Sequence, residues 1–368
     1  MNKAQADKKR VCIVVYDISD MGGTNQVASS LAAELVKKYD LYVLSIRKNR
    51  EDIPHAFPDG VPITVLLDGT KNVKDTVRRC FLPAKKYFRE NKIDVALLIG
   101  HFAGFIMSVL RPFVKTKLVF CDHGALLNQL DDKQETLMRR IGVKLCNKLV
   151  ALTKRTRDDY IRLFHLKPSK ADYIYNWIDY DPNVASTYSA DYKRIMWAGR
   201  FSPEKGNDMM YEVALDVLKR NTDWSWDVYG DGDTLEFYRE KAEKDGISDR
   251  LIFHGRVSDL KNRYAGHGIY VLSSYREGLP LVLLEAKANF LPIVSFDVVT
   301  GPAEIVRNGV DGYLIEPKNT AAMAECLNDL MNDPEKREKL SGESHSNLGL
   351  FSKSAIFEKW CSLIDELA

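Results

Sequence analysis

Long apolar runs are missing from this sequence. The longest stretch without Lys, Arg, Asp or Glu is Val95–Leu110, and Gly100, His101 and Gly104 interrupt it. A membrane-spanning helix needs about 20 consecutive apolar residues, so none is expected. Behind Lys8, Lys9 and Arg10 the apolar run Val11–Tyr16 stops at Asp17, which is too short for a secretory leader, and the chain is expected in the cytoplasm. Cysteine is scarce: Cys12, Cys80, Cys121, Cys146, Cys326 and Cys361 show no C-x-x-C spacing. That excludes a disulfide scaffold and a cysteine metal site, leaving reduced thiols. Gly22-Gly23-Thr24-Asn25-Gln26 lacks the G-x-G-x-x-G spacing of a nicotinamide-binding loop. Repeats and low-complexity segments are absent as well.

What is present is 368 residues at 45% hydrophobic and 28% charged, enough for two globular domains and too apolar for disorder. The formal net charge is only +2, yet residues 1–185 hold 31 Lys and Arg against 21 Asp and Glu, and the remainder holds 22 against 30. The first half therefore suits an anionic neighbour better than the second. A near-neutral total and the lack of any recognition motif argue against a nucleic-acid partner.

Arg10–Asp17 is an apolar, β-branched run, followed by Gly22-Gly23 and then Val27, Leu31 and Leu35 at helical spacing. Strands are predicted in the same way at Leu41–Ile46, Ile63–Leu67, Asp94–Ile99, Lys117–Cys121 and Lys148–Thr153, with a helical stretch at Val77–Asn91. Between Tyr180 and Tyr192 the sequence turns to Asp, Pro, Asn, Ser and Thr, which marks a boundary between domains 1–182 and 183–368. The second half gives strands at Arg194–Ala198, Trp226–Tyr229, Leu251–His254, Ile269–Leu272, Ile293–Phe296 and Gly312–Ile315. Helices fall at Asp208–Arg220, Leu235–Asp245, Pro280–Asn289, Ala321–Asn332 and, as an amphipathic last segment, Ile356–Leu367. Two α/β domains of parallel sheet, with a ligand cleft between them, are the simplest architecture.

Two loops carry chemistry. Trp197-Ala198-Gly199-Arg200-Phe201-Ser202-Pro203-Glu204-Lys205-Gly206 sets two cations on a strand-to-helix loop, where Arg forks onto phosphate oxygens and Lys acts as a point charge. The same residues would serve a solvated loop in which Lys205 pairs with a neighbouring acid. Ser274–Ala286 places Glu277 in a loop and Glu285 about two turns into a helix, with the amides of Leu281 and Val282 aimed at an anion and the carboxylates able to accept from hydroxyls. An anion beside several hydroxyls describes a nucleotide sugar. The plain alternative makes Glu277 a helix-start carboxylate and Glu285 a surface charge, although Leu283, Leu284 and Ala286 around Glu285 demand a polar partner for it. Asp231 and Asp233 spell D-G-D inside a glycine turn and read as turn residues.

Gly199-Arg200, Glu204-Lys205-Gly206 and the E-x7-E of Glu277 and Glu285 within EGLPLVLLEA resemble the family 4 glycosyltransferases of GT-B fold. Tyr229-Gly230-Asp231-Gly232, Phe253-His254-Gly255, Thr300-Gly301-Pro302 and Asp311-Gly312-Tyr313-Leu314 follow the family order, as does Asn176-Trp177-Ile178-Asp179, with Trp177 where glycine is usual. Over the first half the resemblance rests on Gly22-Gly23, His101, His123 and the strand order. It implies two Rossmann-like domains facing across a cleft, the C-terminal helix crossing back to the first domain. It also implies a retaining, metal-independent transferase that moves a hexosyl or N-acetylhexosaminyl group from a nucleotide diphosphate sugar, UDP-linked, to a glycan or lipid-linked acceptor in cell-surface polysaccharide synthesis.

In that reading Arg200 and Lys205 neutralise the departing diphosphate, Glu285 holds the ribose, and Glu277 accepts from the donor sugar. Gly278, Leu281 and Val282 belong to the donor site, and Gly22 and Gly23 approach the diphosphate from the first domain. His123 bonds to the donor sugar, with His101 the secondary candidate. The implied catalytic residues are thus His123, Glu277, Arg200 and Lys205, with no cofactor beyond the nucleotide-sugar co-substrate. No first-half carboxylate stands out as a nucleophile, which favours front-side transfer with the leaving diphosphate taking the acceptor proton. A non-catalytic nucleotide-sugar-binding subunit serving a partner transferase is the alternative, and an inverting transferase or epimerase the alternative within enzymes. The basic segment Lys71–Lys92, with Val77, Phe81, Leu82, Tyr87 and Phe88 interleaved, is expected either to touch an anionic membrane on its inner face or to be a solvated helix packed on the sheet, Pro83 interrupting its pattern.

Overall fold

The computed structural model describes residues 8–70 and 72–368, so Lys71 of the basic segment lies outside the described residues. The chain forms two compact units, one taking in Met1–Tyr175 with Phe357–Ala368, the other Asn176–Ile356.

In the first unit seven strands, β1 (Arg10–Asp17), β2 (Asp40–Arg47), β3 (Ile63–Leu67), β4 (Val95–Ile99), β5 (Lys117–Asp122), β6 (Lys148–Ala151) and β7 (Ala171–Tyr173), line up as β3-β2-β1-β4-β5-β6-β7. All neighbours run parallel, with Val11 opposite Leu41 on one side and Val95 on the other. All five residues of β4 are buried, the pattern of a strand covered on both faces by helices. The second unit holds β8 (Arg194–Ala198), β9 (Ser225–Tyr229), β10 (Leu251–Gly255), β11 (Ile269–Leu272), β12 (Ile293–Phe296) and β13 (Gly312–Ile315) in the order β10-β9-β8-β11-β12-β13, again parallel. Its core gathers Trp197, Trp226, Met210 and Phe296 around this sheet. Each unit is Rossmann-like. Strand order reverses between β1 and β4 in one and between β8 and β11 in the other, and at such a switch point the loops leaving the strands' C-terminal ends part to make a ligand crevice.

Three details differ from the sequence reading. The units divide at Tyr175/Asn176, ahead of the expected 182/183 boundary. The segment beyond Tyr175 is tied to the second unit, Ile178 N–H donating to Phe351 O at 2.9 Å and Lys353 pairing with Asp179 at 2.6 Å. Secondly, residues 357–368 join the first unit, outside the expected 183–368 domain but in line with the expected crossing back of the C-terminal helix: Asp365 pairs with Lys38 at 2.7 Å and Lys9 at 3.3 Å and accepts from the Tyr39 hydroxyl at 3.1 Å. Thirdly, Pro83 does not interrupt the basic segment, because helix Val73–Glu90 runs through it. Pro83 sits on the exposed side, while Cys80, Ala84, Tyr87 and Phe88 hold the other side in the core, and the Asn72 side chain caps the start by accepting from Asp75 N–H. Among the described residues no helix is long and apolar enough to cross a membrane.

Candidate functional site

The loops around the β8–β11 switch point are drawn together by backbone contacts that only glycine permits. Gly206 has φ +64°, and a Cβ there would lie 2.0 Å from Ser273 O; at Gly230, φ +144°, it would lie 1.7 Å from Gly199 O. At Gly206 the loop after β8 presses onto the loop after β11, and at Gly230 the loop after β9 presses onto the loop after β8. Trp197 Nε1–H donates to Ser273 Oγ at 3.0 Å, Ser273 Oγ donates to Lys205 O at 3.1 Å, and Tyr275 N–H donates to Glu204 O at 2.9 Å. This lacing brings Lys205 Nζ to 2.7 Å from Glu277 Oε1, which also accepts from Ser274 Oγ at 2.6 Å. Thr300 Oγ1 fixes the same residue through its carbonyl, at 2.6 Å. Glu277 is buried, so its charge is matched by an ammonium and a hydroxyl and not by bulk water.

Glu285 stands on helix Leu281–Ala288, where its Oε2 accepts from the buried Tyr264 hydroxyl at 2.6 Å. Burial lifts its carboxyl above the ordinary range, and the Tyr264 hydrogen bond opposes that shift. The polar partner that its apolar neighbours demand is therefore Tyr264. Gly278 precedes this helix, and Leu281 and Val282 open it; a helix's first amides have no intrahelical acceptor and carry the positive end of its dipole. Arg200 is 79% exposed and lies 3.5 Å from Glu204, so of the two cations only Lys205 meets Glu277. Asp231 is engaged in its turn, accepting from Gly232 N–H at 2.8 Å.

In the first unit Gly22 and Gly23 follow β1, Gly22 at an ordinary φ of −66° as the cap of helix Gly23–Leu35. A Cβ on Gly23 would meet nothing within 4 Å. The loop is held by the Asn25 side-chain amide, which donates to Asp17 O at 2.7 Å and Asp20 O at 2.9 Å. Neither glycine is demanded by the chain's own geometry. His101 opens helix His101–Ser108 beyond β4, and its Nε2 lies 3.6 Å from Glu135 Oε1. His123 follows β5, and neither of its ring nitrogens has a hydrogen-bond partner among the described residues. Burial pushes the His123 pKa down to about 4, Asp122 opposing; burial and then Arg139 lower that of His101, Asp122 and Glu135 opposing.

Sequence reasoning missed the scaffold around these residues. Arg139 is fully buried between Asp122 and Glu135, each 3.3 Å away, and the buried Tyr160 hydroxyl donates to Asp122. A buried arginine on a charged helix gives no signal in one sequence. Tyr264 and Ser274 had a weak one, since a carboxylate among leucines needs a donor nearby.

Residues 21–182 match the model of Glycosyltransferase Family 4, and residues 185–345 that of Glycosyl transferases group 1. The amylovoran biosynthesis glycosyltransferase AmsD of Erwinia amylovora is 24% identical over 97% of this chain and 99% of its own length. The alpha-1,4-N-acetyl-D-galactosaminyltransferase of Campylobacter jejuni, named for a GalNAc chain on PP-undecaprenol, is 23% identical over 94% of this chain and 96% of itself. An exopolysaccharide phosphotransferase of Streptomyces coelicolor is 25% identical over 95% of this chain, which spans only 40% of that protein. HepE of Anabaena, solved in complex with UDP, shares the fold with a TM-score of 0.81 at 14% identity, over 98% of this chain and 100% of that one. The chain belongs with the glycosyltransferases of GT-B fold.

Proposed function

We propose that this glycosyltransferase moves a hexosyl or N-acetylhexosaminyl group from a UDP-sugar to a hydroxyl of a glycan or lipid-linked acceptor in cell-surface polysaccharide synthesis. It does so with retention of configuration and without a metal ion. The observation that carries the reading is the Lys205–Glu277 pair at 2.7 Å, seated where the strand order of the second unit reverses. With no donor bound, the carboxylate keeps the ammonium neutralised. An arriving diphosphate competes for Lys205, which then faces the charge that grows on the leaving group. Glu277, released from the ammonium, accepts from hydroxyls of the donor sugar. Arg200, exposed at the same loop, adds a forked cation, and the amides of Leu281 and Val282 add the helix end. Glu285 keeps Oε1 for the ribose hydroxyls while Tyr264 holds Oε2.

In the first unit His123 contributes a neutral imidazole for a sugar hydroxyl, with His101 second to it, and the bare backbone of Gly22-Gly23 admits close approach of a phosphate group. The diphosphate, once leaving, takes the acceptor proton on the same face of the sugar, which gives retention. The relatives' names support the substrate classes: amylovoran synthesis, a PP-undecaprenol-linked acceptor and, for HepE, bound UDP. A lipid-linked acceptor sets the place of work at the inner membrane face, with the basic helix Val73–Glu90 as the contact.

The test is turnover of a UDP-sugar panel by the purified chain, with the product anomer read by NMR. Lys205→Ala should cost about a hundredfold or more in turnover, the size of losing one preorganised group that meets developing charge. Wild-type rates in a folded K205A protein would remove the diphosphate assignment. A product of inverted configuration would remove retention, and donor binding without hydrolysis or transfer would leave a binding subunit.

A further inference from the structure

On the first unit a cavity of about 400 Å³ opens where β4 and β5 begin, beside Ile93, Asp94 and Thr116. His101 and His123 follow the far ends of the same two strands, so the length of a five-residue strand, roughly 16 Å, separates this cavity from them. It is no subsite for transfer at those histidines.

Its walls combine two chemistries. Lys85, Arg89, Lys92 and Lys115 bring four cations from the end of helix Val73–Glu90 and from the segment before β5, and none of the four forms an ion pair among the described residues. Asp94 is the one carboxylate in the lining, and it already accepts from Arg10 N–H at 2.8 Å. Between the cations lie the apolar walls Phe113 and Val114. The Phe113 ring is 54% exposed, stands 5.3 Å from Phe81 and carries the Lys85 ammonium 5.5 Å above it. Leu82, on the same helix, is 71% exposed.

Unpaired cations around an apolar hollow match a ligand with an anionic head on a carbon chain. A free inorganic anion would use the charges and leave Phe113 and Val114 unused. A bare amphipathic helix lying in a bilayer does not fit either, because the apolar side of Val73–Glu90 is committed to the core through Cys80, Ala84, Tyr87 and Phe88. We propose that this cavity takes the phosphate-bearing headgroup of an anionic membrane lipid, with Phe113 and Leu82 reaching the acyl boundary beside it. The inference deepens the membrane part of the proposed function and rests on it; it does not depend on the donor-site roles.

Vesicle flotation tests it, using the whole chain with phosphatidylcholine vesicles with and without phosphatidylglycerol. The protein should float with the anionic vesicles, stay behind with the neutral ones, and release as salt rises. Each cation near such a surface is worth about a fivefold gain in binding, so Arg89→Gln with Lys92→Gln should weaken it roughly 25-fold. Neutralising two exposed cations of the second unit, Lys219→Gln with Lys244→Gln, should leave it unchanged. Phe113→Ala with Lys115→Gln, checked like the others by thermal melting, provides a second variant should the first fail to fold. No flotation of the wild type would overturn the membrane reading and this site together. Flotation that survives the cavity variants would overturn the site alone. Displacement by millimolar inorganic phosphate at matched ionic strength would assign the cavity to the free anion and overturn the lipid headgroup.

Discussion

Where the second unit's strand order turns, between β8 and β11, the loops interlock: Gly206 lets backbones touch, Trp197 and Ser273 bridge them, and Lys205 and Glu277 arrive already paired. Where the first unit's order turns, between β1 and β4, two glycines sit in ordinary conformation with space beside them, and His123 at the neighbouring strand offers two unpartnered nitrogens. The same architecture thus carries one crevice whose groups satisfy each other and one whose groups await something else. The charge follows the same division, basic in residues 1–185 and acidic after them. Adding a side chain to a glycine should therefore act through the fold in the second crevice and through ligand binding in the first.

The largest expected effect sets two glycines against each other. Gly206→Ala forces a Cβ to 2.0 Å from Ser273 O at a φ of +64°, and should cost about 3 kcal/mol of stability along with the site. Gly23→Ala adds a methyl group into open space at a helix start and should stay within about 0.5 kcal/mol of wild type while slowing transfer. Thermal melts and turnover on both variants check this; equal melting losses would erase the contrast.

Next, within the second crevice, the two carboxylates should separate by ligand. Glu285→Gln should weaken UDP and UDP-sugar alike by about tenfold, since the ribose belongs to both, whereas Glu277→Gln should weaken only the sugar-bearing donor. Calorimetry with both ligands decides, and identical profiles for the two variants would show the roles wrongly divided.

A smaller effect lies in the first crevice and depends on pH. His123 ordinarily titrates near 6.5 but, with both ring nitrogens buried, resists protonation down to about 4, whereas the unfolded chain takes the proton first. Its contribution is therefore complete above pH 6.5 and is lost as pH falls through that window, by about 3 kcal/mol at the lower end. Melting temperature should drop more steeply for wild type than for His123→Gln between those values. Parallel curves would mean that the imidazole is not held neutral.

How much of this was legible follows from where each signal resides. β1, β3, β8, β11, β12 and β13 have the bounds read from sequence, because short, largely apolar runs flanked by polar or turn residues mark strands locally. Helices Lys133–Leu145 and Lys154–Phe164 were not read: the first buries Arg139 beside Met138, Gly142 and Val143 and leaves Leu137, Ile141 and Leu145 exposed, so its apolar periodicity points the wrong way. Pro83 misled for a related reason, since a proline on the solvent side of a helix anchored by its other face does not break it. Lys205 and Glu277 were each named, but their contact spans 72 residues and needs β8 and β11 side by side, which no local pattern encodes.

The smallest expected effect is that of a chelator. Turnover in EDTA should stay within about twofold of the untreated rate if, as proposed, the field a metal supplies elsewhere is built from this chain's own groups. On the proposed reading Lys205 exchanges Glu277 for phosphate oxygens, while Arg200, exposed on the same loop, and the N-terminus of the Leu281 helix add positive charge. Asp231 of the D-G-D turn accepts from Gly232 N–H, which is turn chemistry. Activity lost in EDTA and restored by magnesium or manganese would break the account at Lys205 first, since a metal-bridged diphosphate would not need the ammonium, and K205A should then show a far smaller defect than a hundredfold.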